Sequence, residues 1–275
     1  MDIHSGGVDL RFPHHDNELA QSEAKYDTGS DQWVNYFLHT GHLHIKGFKM
    51  SKSLKNFITI KEALRENSPR QVRLLGLLHK YNAPMDYGDD TMTGALATEK
   101  IYMEFFHNVK AALRKCAHQD SLRLEASEQR VMRSVDTAQD EVHTALCDDF
   151  DTPRAMRALQ EVVRVVNKYM DDKEAAKAPM VRLVLRRAAE YVTRMFKIFG
   201  VISSGDEMGF SAGGSEGFSR EDALAPLLNV LAEFREAVRA GGRAGDMAAV
   251  LAACDDVRDN LLPPVGVRLE DKGSE

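Results

Sequence analysis

The chain has 275 residues, and its 36 Lys plus Arg against 42 Asp plus Glu give a formal net charge of −6. Hydrophobic residues make up 43% and charged residues 28%, which is typical of a globular protein with a packed core and excludes extended disorder. The mild acidity disfavours a surface that coats nucleic acid as a whole. No apolar run approaches the roughly 18–20 residues that span a bilayer, and no secretory signal is recognisable, so we expect no membrane partner.

Three cysteines, Cys116, Cys147 and Cys254, are odd in number and widely spaced. This spacing excludes a disulfide framework and makes a reducing compartment the default expectation. All three fall in helical patterns, where we expect core or near-surface thiols rather than metal ligands.

The first sixty residues contain short elements of mixed type. The pattern predicts helices near residues 16–25 and 31–40, the second closed by Gly41 as a C-terminal cap. Residues 42–46 then alternate as a strand does, and a polar loop follows. We interpret residues 1–60 as an α/β region.

Helix-start signals follow the polar loop. Thr59 and Glu62 have the spacing of a capping box, and Ser68 with Pro69 supplies a cap and a first-turn proline. Connecting helices are therefore predicted over residues 61–90.

From about residue 91 onward the apolar periodicity is helical almost throughout. Thr152 and Pro153 mark a helix start, and Gly200 marks a stop. The candidate helices lie near residues 91–118, 127–147, 153–170, 179–199, 221–240 and 246–261.

These helices form two groups. We predict a helical bundle over residues 91–202 and a C-terminal helical region over 220–275, joined by an exposed Gly/Ser-rich linker over 203–219. The predicted fold class is an α/β region followed by a mainly α-helical bundle, predominantly helical overall.

A basic segment of small residues follows the predicted strand. Its lysines, Lys49 and Lys52, stand three residues apart and can reach neighbouring phosphate oxygens as mobile point charges. An isolated K-x-x-K is more often a solvated turn, but the complete pentapeptide resembles the KMSKS loop of class I aminoacyl-tRNA synthetases. The pentapeptide consists of Lys49, Met50, Ser51, Lys52 and Ser53.

A second segment indicates which family of class I synthetases the chain resembles. Residues 2–18, DIHSGGVDLRFPHHDNE, resemble the corresponding stretch of cysteinyl-tRNA synthetases, and the following LAQSEA with residues 33–41 fits the eukaryotic branch. Residues 148–153 (DDFDTP) and 258–263 (RDNLLP) resemble the helical C-terminal part of that family. The resemblance implies a Rossmann-like class I catalytic domain at the N-terminus, followed by a tRNA- or anticodon-binding bundle.

The glycine-rich turn in this segment suits a nucleotide. Gly7 lets the backbone approach a ligand closely, and Asp9 supplies an acceptor for ribose hydroxyls, although a plain tight turn has the same composition. The resemblance implies that Gly7, Asp9 and Lys52 bind ATP, accompanied by Mg²⁺, and that His4 binds the cysteine substrate.

His14 and Glu18 are four residues apart and share one face of a helix that begins near Pro13. A lone pair of this kind is usually a surface pair. The resemblance implies that these two residues bind zinc with two cysteines, and that the zinc takes the substrate thiolate. No cysteine precedes Cys116 and the HIGH tetrapeptide is absent, so the resemblance implies a C-terminal part of a synthetase that begins within the nucleotide-binding fold.

A basic stripe lies on the helix that begins at Pro153. At about 100° per residue its members face away from the apolar side, where they could neutralise tRNA phosphates. A solvated basic face is the alternative, and Glu161 interrupts the stripe. The stripe consists of Arg154, Arg157, Arg164 and Lys168.

The function implied by the resemblance is ATP-dependent activation of cysteine and its transfer to tRNA(Cys) in the cytoplasm. Lys52 is the predicted catalytic lysine, assisted by Lys49, and the oligomeric state stays open. Two alternatives remain: a ligase of the same lineage that joins cysteine to an amino-sugar, and a non-catalytic RNA-binding or interaction fragment. Because the HIGH tetrapeptide and the cysteine ligands are missing, we expect the 275-residue chain alone to be inactive.

Overall fold

The computed structural model describes residues 1–26, 29, 32–45, 47–50, 55–116, 124–203, 208–210, 220–265, 267 and 269. The chain forms two compact units, Met1–Phe210 and Ser211–Glu275. Within the described ranges no helix is both long enough and apolar enough to cross a membrane. The finer subdivision of the chain into five segments stays a prediction.

The N-terminal element is a parallel strand pair. Strand β1 (Ile3–Gly7) pairs with β2 (Tyr36–Thr40), and helix α1 (Asp16–Tyr26) lies in the connection, as parallel pairing requires a crossover. The predicted helix near residues 16–25 is confirmed. The predicted helix over 31–40 is wrong at Tyr36–Thr40, because aromatic and β-branched residues there extend against β1.

A second small sheet follows in the order β4-β3-β5. Strand β3 (Leu43–Ile45) confirms the predicted strand, forms an antiparallel hairpin with β4 (Phe48–Lys49) and pairs in parallel with β5 (Met85–Tyr87). Gly41 does not cap a helix: a Cβ there would lie 2.0 Å from the carbonyl oxygen of Ala83, so glycine is required for this close approach.

The predicted capping box at Thr59 and the predicted cap at Ser68 are both confirmed. Helix α2 (Ile60–Glu66) starts at Thr59, whose Oγ1 accepts from the Glu62 N–H at 3.2 Å while its own N–H donates to that side chain at 2.8 Å. Helix α3 (Pro69–Leu77) starts at Ser68 in the same way. Such reciprocal caps satisfy amides that the first helical turn leaves without partners.

Four long helices form the bundle, and they confirm the predicted pattern. Its core includes Tyr102, Phe105, Leu159 and Phe196, which are fully buried. Gly200, at φ +70°, ends the last helix in the left-handed conformation. The helices are α4 (Asp89–Lys115), α5 (Ala126–Cys147), α6 (Thr152–Ala175) and α7 (Arg182–Ile198).

A buried carboxylate ties the bundle together. Glu128 on α5 is fully buried, lies 2.8 Å from Lys173 Nζ and accepts from the Tyr169 hydroxyl at 2.9 Å. Burial alone would raise the pKa of Glu128, but hydrogen bonds from Lys173 and its neighbours lower it to about 2. The Tyr169 hydroxyl in turn accepts from the Val181 N–H, which connects the segment before α7 to the same network.

The DDFDTP segment joins the bundle to the chain after α3. Asp149 accepts from the Tyr81 hydroxyl at 2.5 Å and from Asn82 at 2.8 Å. Asp151 caps α6 by accepting from the Arg154 N–H, and its carboxylate lies 3.0 Å from Lys80. This segment therefore fixes the end of α3 against the start of α6.

Part of the predicted linker is packed. Phe210 lies edge-on to Phe106, and the Arg70 guanidinium lies 4.2 Å from the centre of the Phe210 ring. The prediction of an exposed linker is therefore wrong for residues 208–210. Ser203 is exposed, and residues 204–207 and 211–219 lie outside the described residues.

The second unit contains α8 (Arg220–Ala244), α9 (Met247–Asp256) and a π-helical turn (Val257–Leu261). These elements confirm the last two predicted helices. Val230, Val257 and Leu262 form a small core of their own.

Candidate active site

A layer of histidines lies against the end of β1. The His4 Nε2 atom on β1 lies 2.9 Å from Glu18 Oε2 on α1, and His15 Nδ1 lies 2.9 Å from His39 Nε2 on β2. Gly6 makes room for this layer, because a Cβ there would lie 2.8 Å from His15 Cε1. Burial, followed by the charges of neighbouring histidines, lowers the pKa of His15, which favours its neutral form.

The predicted zinc pair is brought together only loosely. His14 Nε2 lies 3.8 Å from Glu18 Oε1. A tighter group consists of His4, His15 and Glu18, whose ligand atoms all lie within 4.8 Å of one another. Imidazole nitrogen and carboxylate oxygen suit zinc, but a closed structural site takes four ligands and these residues offer three.

The three cysteines belong to helices other than the elements that carry the histidine layer. Cys116 is buried at the end of α4, Cys147 is exposed on α5, and Cys254 is exposed on α9. That they are core or near-surface thiols rather than metal ligands stays a prediction.

The predicted ATP-binding residues meet the KMSKS segment. The Asp9 carboxylate folds over Gly7, where a Cβ would lie 2.5 Å from Asp9 Oδ1. Lys49 Nζ donates to Asp9 Oδ2 at 3.1 Å, although the two residues are 40 positions apart. This hydrogen bond from Lys49 is the largest cause that lowers the pKa of Asp9. A carboxylate and an ammonium thus stand together at the glycine-rich end of a parallel strand, where nucleotides bind in open α/β sheets.

Only the start of the KMSKS segment is described. Lys49 ends β4, and the Met50 N–H donates to the Leu43 carbonyl at 2.9 Å. Asn56 Nδ2 donates to the Lys49 carbonyl at 3.2 Å and so fastens the end of the hairpin. The predicted catalytic Lys52, with Ser51 and Ser53, lies outside the described residues.

Sequence reasoning missed His42. Its Nε2 atom lies 3.2 Å from Asp9 Oδ1, on the side of the carboxylate opposite to the Lys49 contact. The available signal was weak: His42 stands at the start of the predicted strand 42–46, and nothing local links it to Asp9, which is 33 residues earlier in the chain.

The basic stripe on α6 carries acidic partners. Arg154 pairs with Glu141 at 2.7 Å, Arg164 with Glu161 at 2.6 Å, and Lys168 with Asp172 at 3.2 Å. These pairs are exposed and each reduces the local positive potential. Whether Arg154, Arg157, Arg164 and Lys168 contact tRNA therefore stays a prediction.

Two protein families match separate parts of the chain. Residues 1–97 match the tRNA synthetases class I (C) catalytic domain, and residues 141–203 match the DALR domain. The first match contains the paired strands, the histidine layer and the KMSKS segment, and the second contains α6 and α7. The first match identifies residues 1–97 as part of a class I tRNA synthetase catalytic domain.

Curated relatives narrow this class. The chain is 48% identical over 274 residues to the cytoplasmic cysteine–tRNA ligase of Xenopus tropicalis, 46% to that of Homo sapiens, and 42% over 275 residues to that of Dictyostelium discoideum. These alignments cover 98%, 98% and 100% of this chain but 36%, 36% and 41% of the relatives. The chain is thus similar to cytoplasmic cysteine–tRNA ligases, as the sequence resemblance predicted, and spans about two-fifths or less of the length of these relatives.

Solved structures support the fold. A LeuRS of Agrobacterium radiobacter K84, in a ternary complex with tRNA and LeuAMS, aligns with 72% of this chain and 25% of its own at 20% identity and TM-score 0.57. The Mycobacterium tuberculosis methionyl-tRNA synthetase bound by methionyl-adenylate aligns with 84% of this chain and 44% of its own at 16% identity and TM-score 0.57. The predicted fold class, a class I catalytic α/β region followed by a helical bundle, is confirmed.

Proposed function

We propose that the chain carries the KMSKS-containing part of a cysteine–tRNA ligase active site. In this function, cysteine and ATP form cysteinyl-adenylate with release of pyrophosphate, and the cysteinyl group then passes to tRNA(Cys). The observation that carries the proposal is the contact between Asp9 and Lys49 at the glycine-rich end of β1. It joins a ribose acceptor and a phosphate-binding cation from two distant segments in one place.

The residues have separate roles in the first step. A cysteine carboxylate oxygen bonds to the α-phosphorus, the bond from that phosphorus to the oxygen bridging it to the β-phosphate breaks, and pyrophosphate leaves. Negative charge builds on the phosphate oxygens, and Lys52 with Lys49 stabilises it. Asp9 accepts hydrogen bonds from the ribose hydroxyls, and Gly7 allows the nucleotide to approach the backbone.

The histidine layer holds the cysteine side chain. His4, near the start of β1, faces the substrate, while His14 and Glu18 supply an imidazole and a carboxylate for zinc. When bound there, zinc supplies a ligand position that prefers a thiolate to a hydroxyl, which favours cysteine over serine.

The bundle binds the tRNA in this proposal. The match of residues 141–203 to the DALR domain and the basic residues of α6 support it. The similarity to cytoplasmic cysteine–tRNA ligases supports a cytoplasmic location.

A chimera provides the test. The aligned 274 residues of the Xenopus tropicalis ligase are replaced by this chain, and cysteine-dependent exchange of pyrophosphate into ATP is measured. We expect activity in the chimera and none in the 275-residue chain alone. Lys52→Ala should lower exchange turnover on the order of hundreds-fold, because it removes a charge that stabilises the transition state.

Lys61→Ala is the matched control, since Lys61 is an exposed lysine of α2. A chimera without exchange activity, or one in which Lys52→Ala behaves as Lys61→Ala does, would contradict the proposal. Transfer of cysteine to an amino-sugar but not to tRNA(Cys) would instead favour the ligase alternative.

A further inference from the structure

The side chain of Asp9 is contacted on both of its oxygens. Lys49 Nζ lies 3.1 Å from Oδ2, and His42 Nε2 lies 3.2 Å from Oδ1. The carboxylate is further confined by the backbone of Gly7, which lies directly beneath Oδ1. Its orientation is therefore set by three separate segments: the end of β1, the start of β3 and the end of β4.

The backbone around His42 is held by hydrogen bonds to the segment of residues 81–85. The Met85 N–H donates to the His42 carbonyl at 2.9 Å, and the preceding Gly41 N–H donates to the Tyr81 carbonyl at 2.8 Å. His42 Nε2 is itself buried, and within the described ranges it has no partner in hydrogen-bond geometry. Asp9 Oδ1, 3.2 Å away, is thus a charged neighbour of this nitrogen, and a carboxylate beside it favours the form of the ring that carries a proton on Nε2.

Lys49, in contrast, is about half exposed and sits at the end of a two-residue strand. Exposed ion pairs are weak, because water screens them and two side chains must be ordered. A triphosphate carries more negative charge than one carboxylate and can displace Asp9 from Lys49.

We propose that His42 is a positioning residue that orients the Asp9 carboxylate, and that Asp9 so oriented holds Lys49 until nucleotide replaces it. This inference rests on the proposed function for the identity of the nucleotide. The contact keeps the first lysine of the KMSKS segment beside the ribose-binding carboxylate in the free protein. When nucleotide binds, its ribose hydroxyls bind to Asp9 and its phosphates bind to Lys49, so the contact between the two side chains is lost.

The first experiment measures the reactivity of the Lys49 amine in the 275-residue chain without nucleotide. The chain is acetylated with an N-hydroxysuccinimide ester, and the rate at Lys49 is read by mass spectrometry relative to Lys61 in the same sample. We expect Asp9→Asn to raise this ratio about two- to fivefold, as the loss of an exposed ion pair allows. His42→Ala should raise it by a similar amount, and His42→Gln should restore part of the protection.

The double variant Asp9→Asn with His42→Ala separates positioning from a general structural effect. If His42 acts through Asp9, the double variant matches Asp9→Asn alone. A ratio unchanged by His42→Ala, or an effect of His42→Ala that adds fully to that of Asp9→Asn, would overturn the inference.

The second experiment uses the chimera and ATP. His42→Ala should raise KM for ATP about two- to tenfold while kcat stays within about twofold, since it disturbs binding of the ribose and not the transition state. A fall in kcat at unchanged KM would overturn the positioning role. An inactive chimera would contradict the proposed function. The acetylation result would still show whether His42 acts on Lys49 through Asp9.

Discussion

The N-terminal region, residues 1–66, and the bundle of α4–α7 differ most in how much they bury. Within the described part of the N-terminal region two side chains, His15 and Val34, are buried, whereas large apolar groups such as Phe12 and Phe48 are 75% and 67% exposed. The bundle has a continuous core with many fully buried side chains.

The residues expected to carry the chemistry and those that stabilise the fold therefore lie in different regions of the chain. The described residues expected to bind ATP, cysteine and zinc lie in the thinly packed region, on a short strand and short helices. The bundle contributes none of them but supplies most of the buried apolar side chains, whose burial dominates folding free energy. Functional sites commonly use segments of low local stability, because such segments can rearrange around a ligand.

Hydrogen exchange provides the broadest test of this comparison. In the 275-residue chain, we expect amides before about residue 60 to exchange at least about a hundredfold faster than bundle amides after residue 91, because few buried contacts resist local opening. Exchange followed by mass spectrometry measures both regions in one sample. Equal protection of amides in the two regions would contradict the conclusion that the N-terminal region is less stable than the bundle.

Matched phenylalanine truncations test the same difference by stability. Phe196 is fully buried and its ring centre lies 4.5 Å from that of Tyr102, whereas Phe48 is largely exposed. Phe196→Ala should lower the free energy of unfolding by about 3–5 kcal/mol, and Phe48→Ala should change it by less than about 0.5 kcal/mol. Urea unfolding monitored by circular dichroism gives both values. Similar losses for the two variants would contradict the difference in packing.

The buried carboxylate of the bundle predicts a dependence on pH. The pKa of Glu128 is lowered to about 2 in the folded chain, so its contribution to stability is fully present above its ordinary pKa of 4.5. That contribution, about 3 kcal/mol, should be lost as the pH falls from about 4.5 to 2.

Glu128→Gln isolates this contribution from that of other acids. Unfolding free energies of the parent and the variant should differ most near pH 6 and converge as the pH approaches 2. A difference that stays constant over this range would show that the Glu128 carboxylate is not held in its charged form by Lys173 and Tyr169.

The smallest expected effect concerns the basic stripe of α6. Arg157→Glu with Lys168→Glu in the chimera should weaken binding of tRNA(Cys) and flatten its salt dependence by about one unit for each lost phosphate contact. Filter binding at several salt concentrations measures the slope, and pyrophosphate exchange without tRNA should persist. The double variant Lys100→Glu with Lys115→Glu on α4 controls for net charge. If the salt dependence of tRNA binding has the same slope for both double variants, the stripe is a solvated face and not a tRNA contact.

Much of the helical fold follows from the sequence, because its signals are local. The caps at Thr59 and Ser68 each satisfy amides within three residues, and Pro153 and Gly200 delimit the helices by their own backbone preferences. Apolar periodicity is equally local, since one turn of helix brings residues three and four apart onto one face. The motif around Gly7 and Asp9 and the KMSKS segment were recognisable for the same reason.

Tertiary structure decided the rest, because the partners are far apart in the chain. Tyr36–Thr40 became a strand through pairing with Ile3–Gly7, more than thirty residues away, although its local pattern suited a helix. The site followed the same rule: spacing predicted the pair His14 and Glu18, but the fold brought His4 closer to Glu18. The sequence alone determined which residues can carry the chemistry, and strand pairing determined which of them meet, because hydrogen bonds between strands carry no sequence-local signal.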